Sequence, residues 1–241
     1  RMFRDLSNLI SLDVSSFDTS HVTNMDLMFS FTSKLVSLNL SNFNTSQVTV
    51  MNRMFANMPN LASLDLSSFD TSQVTEMSSM FYNTPNLTSL DLSTFDTSKV
   101  TDMNSMFNYT LSLSSLKFGP NFVTDKVEDM LMMFVGTCSL DSLDLSTFRT
   151  TKLTNVTKMF ALLDWDNISF ECLNGDKLKN IYTSEDFDIS NINQSADVFT
   201  GRKNLRGGAG SFLSDPSTAD KTWLRIDDPT NSRPGYFTRK P

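Results

Sequence analysis

Leu64-Asp65-Leu66-Ser67-Ser68-Phe69-Asp70-Thr71-Ser72-Gln73-Val74-Thr75-Glu76-Met77-Ser78-Ser79-Met80-Phe81 decides the fold, because near copies of it recur along the 241-residue chain. Met-Phe pairs fall at 2-3, 28-29, 54-55, 80-81, 106-107, 133-134 and 159-160, a step of 26 residues with a single step of 27. The extra residue lies in Leu116-Lys117-Phe118-Gly119-Pro120-Asn121-Phe122, where other copies have a six-residue segment such as Leu90 to Phe95. A fixed period of this length is the mark of a repeat architecture.

Leu alternates with Ser or Asp across Ser63-Leu64-Asp65-Leu66-Ser67, the two-residue period of a half-buried strand, so each copy offers one short strand. The second half, Val-Thr-x-Met-x-x-Met-Phe, spaces its apolar residues at 0, 3, 6 and 7, which predicts a short helix or 3₁₀ turn. Thr23, Thr49, Thr75 and Thr101 stand where its N-caps belong. One copy has too few large side chains to order itself, so the copies must stack. The fold expected over residues 1-200 is an α/β repeat solenoid of leucine-rich-repeat type. It has a parallel sheet of one short strand per 26-residue coil, with short helices or 3₁₀ turns opposite.

After Phe160 the pattern weakens, and residues 161-186 read as an irregular insertion before a degenerate last copy at Phe187-Asp188-Ile189-Ser190 and Val198-Phe199. From Gly201 the composition shifts, and 201-241 reads as a C-terminal β cap packed on the solenoid. Within it Thr222 to Asp227 alternates like a strand, with Gly235-Tyr236-Phe237-Thr238 pairing back across Asp228-Pro229. The chain starts inside a repeat, as a monomeric fragment of a longer protein would.

Twenty Lys and Arg against 27 Asp and Glu give a net charge of −7, which argues against nucleic acid or an anionic membrane as the main partner. No apolar run is long enough for membrane insertion. Cys138 and Cys172 leave two readings open, one local bridge or two buried reduced thiols. His21 is the single histidine, in a slot that varies between copies, so no Ser-His-Asp or Cys-His constellation assembles. Gly207-Gly208-Ala209-Gly210 opens no patterned helix and is not a phosphate loop. No carboxylate pair is singled out for glycoside hydrolysis, so the expectation is a protein that is not an enzyme, with no catalytic residue, metal or cofactor.

If the Leu columns point inward, one outward column reads Asp13, Asn39, Asp65, Asp91, Lys117 and Asp144. A calcium ladder is its sharpest reading, but Asn39 and Lys117 break the row and leave Asp65 and Asp91 as the adjacent acidic pair. The alternatives are a solvated polar face and a protein-binding face. A second column, Asp18, Asn44, Asp70, Asp96 and Asp188, is explained by turn and capping chemistry. Departures from the repeat mark further binding candidates: Arg149, which replaces the Asp of the Phe-Asp-Thr-Ser run, and Trp165 and Tyr182 of the insertion.

The copy Leu90-Asp91-Leu92-Ser93-Thr94-Phe95-Asp96-Thr97-Ser98-Lys99-Val100-Thr101-Asp102-Met103-Asn104-Ser105-Met106-Phe107 resembles the 26-residue leucine-rich repeats of BspA-like bacterial surface proteins, found in mycoplasmas and lactic-acid bacteria. Asp220 to Asp227 and Pro234 to Thr238 also resemble the usual end of such regions. The resemblance implies a secreted or wall-anchored, extracellular protein that adheres to a host extracellular-matrix or epithelial surface protein. It carries no functional residues across, since the shared motif is the core itself. The alternative is a structural spacer within a longer wall-anchored protein, binding nothing itself.

Overall fold

A computed structural model describes residues 2–162, 172 and 175–241. Trp165 and much of the expected insertion lie outside the described residues.

Backbone hydrogen bonds join each copy to the next. Met25, Leu27, Phe29 and Phe31 donate their amides to the carbonyls of Val50, Asn52, Met54 and Ala56 over 2.9–3.1 Å. Parallel bridges run on through Asn24, Val50, Glu76, Asp102, Asp129, Asn155 and Gln194. The expected short helix or 3₁₀ turn is therefore absent: neither is assigned between residues 2 and 162, where the dominant local form is the turn. A helix needs every amide for the carbonyl four residues back, and here alternate amides leave the copy. Those in between, such as Met28 and Ser30, close turns on Met25 and Leu27. From Met28-Phe29 onward the residue before each Met-Phe pair is left-handed, with φ of 58° at Leu27, 53° at Arg53, 56° at Ser79 and 54° at Ser105, a conformation that L residues do not sustain in a helix. The expected N-caps serve this ladder too, the Thr49 and Thr75 amides donating to Thr23 and Thr49 carbonyls at 2.8 and 2.9 Å.

Strands form on the other side of the copies. β1 (Ser89–Leu92) pairs in parallel with β2 (Ser115–Phe118), setting Leu90 against Leu116 and Asp91 against Lys117. β3 (Ser142–Asp144) pairs in parallel with β4 (Asn180–Thr183), and β5 (Phe237–Arg239) adds to the far edge of β4. The equivalent segments at Leu38 and Leu64 carry no assigned strand, so one strand per copy holds only from Ser89 onward. The sheets separate after β2, at the copy with the extra residue. There a Cβ on Gly119 would overlap the Ser93 carbonyl, so only glycine lets the chain pass that close.

The C-terminal hairpin is also replaced. Lys221–Trp223 is a 3₁₀ turn whose N-cap Asp220 accepts from the Thr222 amide, and Pro229–Asn231 is another. β5 runs parallel to β4 and meets Ile226 in a parallel bridge. Pairing on β4 buries Phe237 fully, with ring centroids 4.9 Å from Phe187 and 6.3 Å from Phe160, whereas an isolated two-stranded hairpin is marginal in water.

The core is a set of columns, of which the phenylalanines are the most regular. Phe3, Phe29, Phe55, Phe81, Phe107, Phe134, Phe160 and Phe199 stack with centroids 5.3–5.8 Å apart and ring planes within 12°. The methionines of the Met-x-x-Met-Phe runs, such as Met51, Met54, Met77 and Met80, line the same cluster, as do Leu205, Leu224 and Tyr236 of the C-terminal segment. Of the two readings for the cysteines the structure has the bridge: Cys138 and Cys172 form a disulfide, with Cα atoms 5.7 Å apart and both residues buried. The described fold is a β-rich repeat architecture of small parallel strands with few helical turns.

Candidate functional site

The outward column is built from Asx turns. Asp13, Asn39, Asp65, Asp91 and Asp144 each accept, through Oδ1, the amide of the serine two residues on (Ser15, Ser41, Ser67, Ser93 and Ser146) at 2.9–3.1 Å. The side chain thus closes the turn that ends the strand segment. The second column does the same, as Asp18 with Ser20, Asp70 with Ser72 and Asp188 with Ser190.

Asp65 and Asp91 flank a cleft of about 190 Å³ with Leu64, Leu66, Ser67, Ser93 and Thr94. Lys117 reaches Asp91 at 3.0 Å, and Lys240 reaches Asp144 at 2.5 Å. Asp13 and Asn39 stand apart, exposed toward the N-terminal end. Among the described residues no group of three or more His, Cys, Asp or Glu is placed to hold a metal ion, so the calcium ladder gains no support. Arg149 is stitched in place: Nη1 donates to the Ser146 and Phe148 carbonyls and to Ser184 Oγ, and Nε pairs with Glu185 at 3.2 Å. Tyr182 lies in β4, half-buried, opposite Asp144 on one side and Thr238 on the other. The structure therefore brings Asp65 and Asp91 together, and separately Asp144, Arg149 and Tyr182.

Sequence reasoning missed the role of the buried threonine in each Asp-Thr-Ser run. Thr45 Oγ1 donates to the Asp70 carbonyl at 2.8 Å and accepts the Asp70 amide at 2.8 Å, clamping one copy to the next through both backbone groups of one residue. Thr19 and Thr71 clamp Asn44 and Asp96 in the same way. Thr124 clamps Arg149, which explains how Arg149 is tolerated: the clamp uses the backbone and ignores the side chain. The Gly-rich loop has a partner too, for the Ala209 and Ser211 amides both donate to Asp227 Oδ2 at 2.9 Å.

Hydrogen bonds to the charged form hold these carboxylates below their ordinary range. For Asp13 and Asp18 the cause is the bonds from Ser15 and Ser20, and for Asp65 the bonds from the Ser67 amide and hydroxyl. Asp91 is lowered to about 2 by Ser93 and then Lys117. For Asp144 burial pushes upward, but Lys240 and Ser146 together outweigh it. Asp129, facing Asp102 across the other ladder, is raised, chiefly by burial. A carboxylate lowered on folding contributes stability that is present above its unfolded pKa, about 3.9, and lost as pH falls through the folded value. The urea midpoint is expected to fall modestly as pH drops from about 4 to 2, because these carboxylates are exposed and their bonds are screened by solvent. Asp91→Asn should flatten that slope, and an unchanged slope would remove Asp91 from the account.

No curated protein and no solved structure matches the chain. A family model does, over residues 1–116 and again over 86–204, spans that overlap at 86–116 and together cover the repeats. On that match the chain belongs to the family described as "Mycoplasma protein of unknown function, DUF285".

Proposed function

We propose that the copies stack as a leucine-rich-repeat solenoid closed by residues 201-241, and that this scaffold is a non-enzymatic adhesion module of a bacterial cell surface. Its strand face takes a host extracellular-matrix or epithelial protein. One observation carries the reading: Asp65, Asp91 and Lys117 stand exposed at the 26-residue spacing, while the residues that alternate with them pack against a continuous core. Their Asx turns fix the backbone beneath them, so little ordering is left to oppose binding. The Cys138–Cys172 bridge supports an oxidising, extracellular setting.

The test is a screen of immobilised matrix proteins and epithelial receptors with the full chain and with Asp65→Lys/Asp91→Lys. Reversal is expected to weaken capture about tenfold or more; because it also removes two turn-closing carboxylates, a melting curve checks that the variant is folded at the assay temperature, and Asp65→Asn/Asp91→Asn, which keeps the turn acceptors, should weaken capture in the same direction. Capture that survives the reversal overturns the strand face as the site. If no partner binds, the spacer reading takes its place.

A further inference from the structure

The column just before each strand segment changes character along the stack. It reads Val36, Ala62, Thr88, Ser114, Asp141, Lys179 and Arg206. Backbone rungs fix the order: the amides of Ala62, Ser114, Lys179 and Arg206 donate to the carbonyls of Val36, Thr88, Asp141 and Lys179, each at 3.0 Å. The last two rungs therefore set two cations side by side, at the roughly 4.8 Å spacing of paired strands. Lys177 stands on the same outward face as Lys179, with buried Leu178 between them. Lys203 adjoins Arg206, whose Nη1 donates to the Lys203 carbonyl at 2.8 Å. Lys177, Lys179 and Lys203 are exposed, and their ammonium groups make no ion pair among the described residues.

Most acids around this surface are committed. Asp176 is buried against Arg202, Asp144 pairs with Lys240, and buried Asp227 takes the Ala209 and Ser211 amides. Asp141 and Asp215 are exposed, the latter held low chiefly by bonds from Ser217 with Lys203 contributing. Four cations thus face two exposed carboxylates, on a chain whose net charge is −7. Beside them Phe212 is 55% exposed, with the Arg206 guanidinium 4.5 Å from its ring centroid. Like charges on neighbouring rungs and an open phenylalanine both work against stability, a combination that marks a surface kept for a ligand.

We propose that this patch binds a sulfated polysaccharide, with sulfates on Lys177, Lys179 and Lys203 and a sugar ring against Phe212. Charge complementarity calls for an anion. The Lys177, Lys179 and Arg206 amides are already taken by the Cys138, Asp141 and Lys179 carbonyls, so side chains and not strand addition do the recognising. Size selects further. Cations are confined to the last two rungs, with Asp141 on the rung before, so a membrane plane or a nucleic-acid duplex would meet acids that one narrow chain avoids. The rung carrying Lys177 is bonded to Cys138, which the bridge to Cys172 holds in place, and this limits the ordering that binding must supply. The patch shares no residue with the Asp65–Asp91 face, so either reading can fail without the other.

The probe is a heparin oligosaccharide titrated into ¹⁵N-labelled full chain, with the desulfated oligosaccharide, poly-L-glutamate and phosphatidylglycerol vesicles as comparisons. The sulfated form is expected to shift the amides of Lys179, Lys203 and Phe212, to weaken as salt rises, and to bind at least about tenfold more tightly than the desulfated form. Lys179→Gln/Lys203→Gln should weaken it about tenfold, and Phe212→Ala should weaken it about threefold or more. Lys34→Gln/Lys99→Gln makes the same change in net charge at exposed lysines elsewhere and should leave affinity within about twofold. Melting curves check each fold, and if the paired variant unfolds, Lys177→Gln alone should still weaken binding in the same direction. An equal loss in the Lys34/Lys99 variant, poly-L-glutamate or vesicles binding as tightly as the sulfated sugar, or no binding at all would overturn the proposal.

Discussion

Arg202→Met is expected to destabilise the protein by about 3–5 kcal/mol, read as a lowered urea midpoint. The side chain is wholly buried and makes five hydrogen bonds: Nε to the Phe160 carbonyl at 2.6 Å, Nη1 to Asp176 at 2.7 Å and the Thr137 carbonyl at 3.4 Å, Nη2 to the Phe134 carbonyl at 3.2 Å and Thr137 Oγ1 at 3.1 Å. Burial lowers its pKa and Asp176 pulls it back up, but a guanidinium stays charged in either case. Methionine fills much of the volume and leaves Asp176, its side chain 4% exposed, as a buried charge whose Oδ2 has no hydrogen-bond partner among the described residues. The penalty is therefore mostly that of the abandoned carboxylate. Arg202→Met/Asp176→Leu should recover at least about 1 kcal/mol of it, because it removes both charges together. A double variant no more stable than Arg202→Met would show that the carbonyl bonds to Phe134, Thr137 and Phe160, and not the ion pair, carry the effect.

Arg202 also shows where the sequence stops being readable. Thr32, Thr84, Thr110 and Thr137 hold the equivalent place in regular copies, each hydroxyl donating to the Phe carbonyl three residues earlier at 2.7–2.9 Å. In the last copy the spacing from Phe160 to Phe199 is 39, so the column is lost to the eye and a basic residue there looks like surface. The core was legible, since Leu, Met and Phe recur at fixed offsets and nearly all are buried. Apolar residues at 0, 3, 6 and 7 predict a helix or 3₁₀ turn but suit a chain of inter-copy turns equally well. Hydrogen bonds that leave the copy decide between the two, and no single copy encodes them. The left-handed column at Asn57, Asn83, Gly136 and Gly201 carries a signal that was present in the sequence, for Asn and Gly tolerate positive φ. Asp65 and Asp91 were correctly placed on an exposed face. Their turn chemistry is hidden because Asp-x-Ser has the same two-residue period as strand alternation.

Phe81→Ala should cost about 3–5 kcal/mol, and Phe3→Ala much less. Phe81 lies between Phe55 and Phe107 with centroids 5.8 Å away on each side and has no solvent exposure. Its truncation leaves a cavity that the rings above and below cannot close, since each is held by its own inter-copy ladder: the Phe55 amide bonds the Met80 carbonyl and the Phe107 amide bonds the Met133 carbonyl, both at 3.0 Å. Two stacked contacts are lost as well, each worth about 0.5–1.5 kcal/mol beyond the buried area. Phe3 is half-buried and, among the described residues, stacks on Phe29, with Phe17 tilted beside it. The comparison tests more than packing. In a stack of copies coupled through nearest neighbours, a central cavity weakens two interfaces and a terminal one frays a single copy. Phe81→Ala should therefore lower the main unfolding transition, whereas Phe3→Ala should leave its midpoint in place and speed amide exchange near Asp5 and Ser30, whose backbones are bonded at 3.0 Å. Equal losses at the two positions would mean that the phenylalanine column fills space without coupling the copies, and that the threonine clamps carry the cooperativity instead.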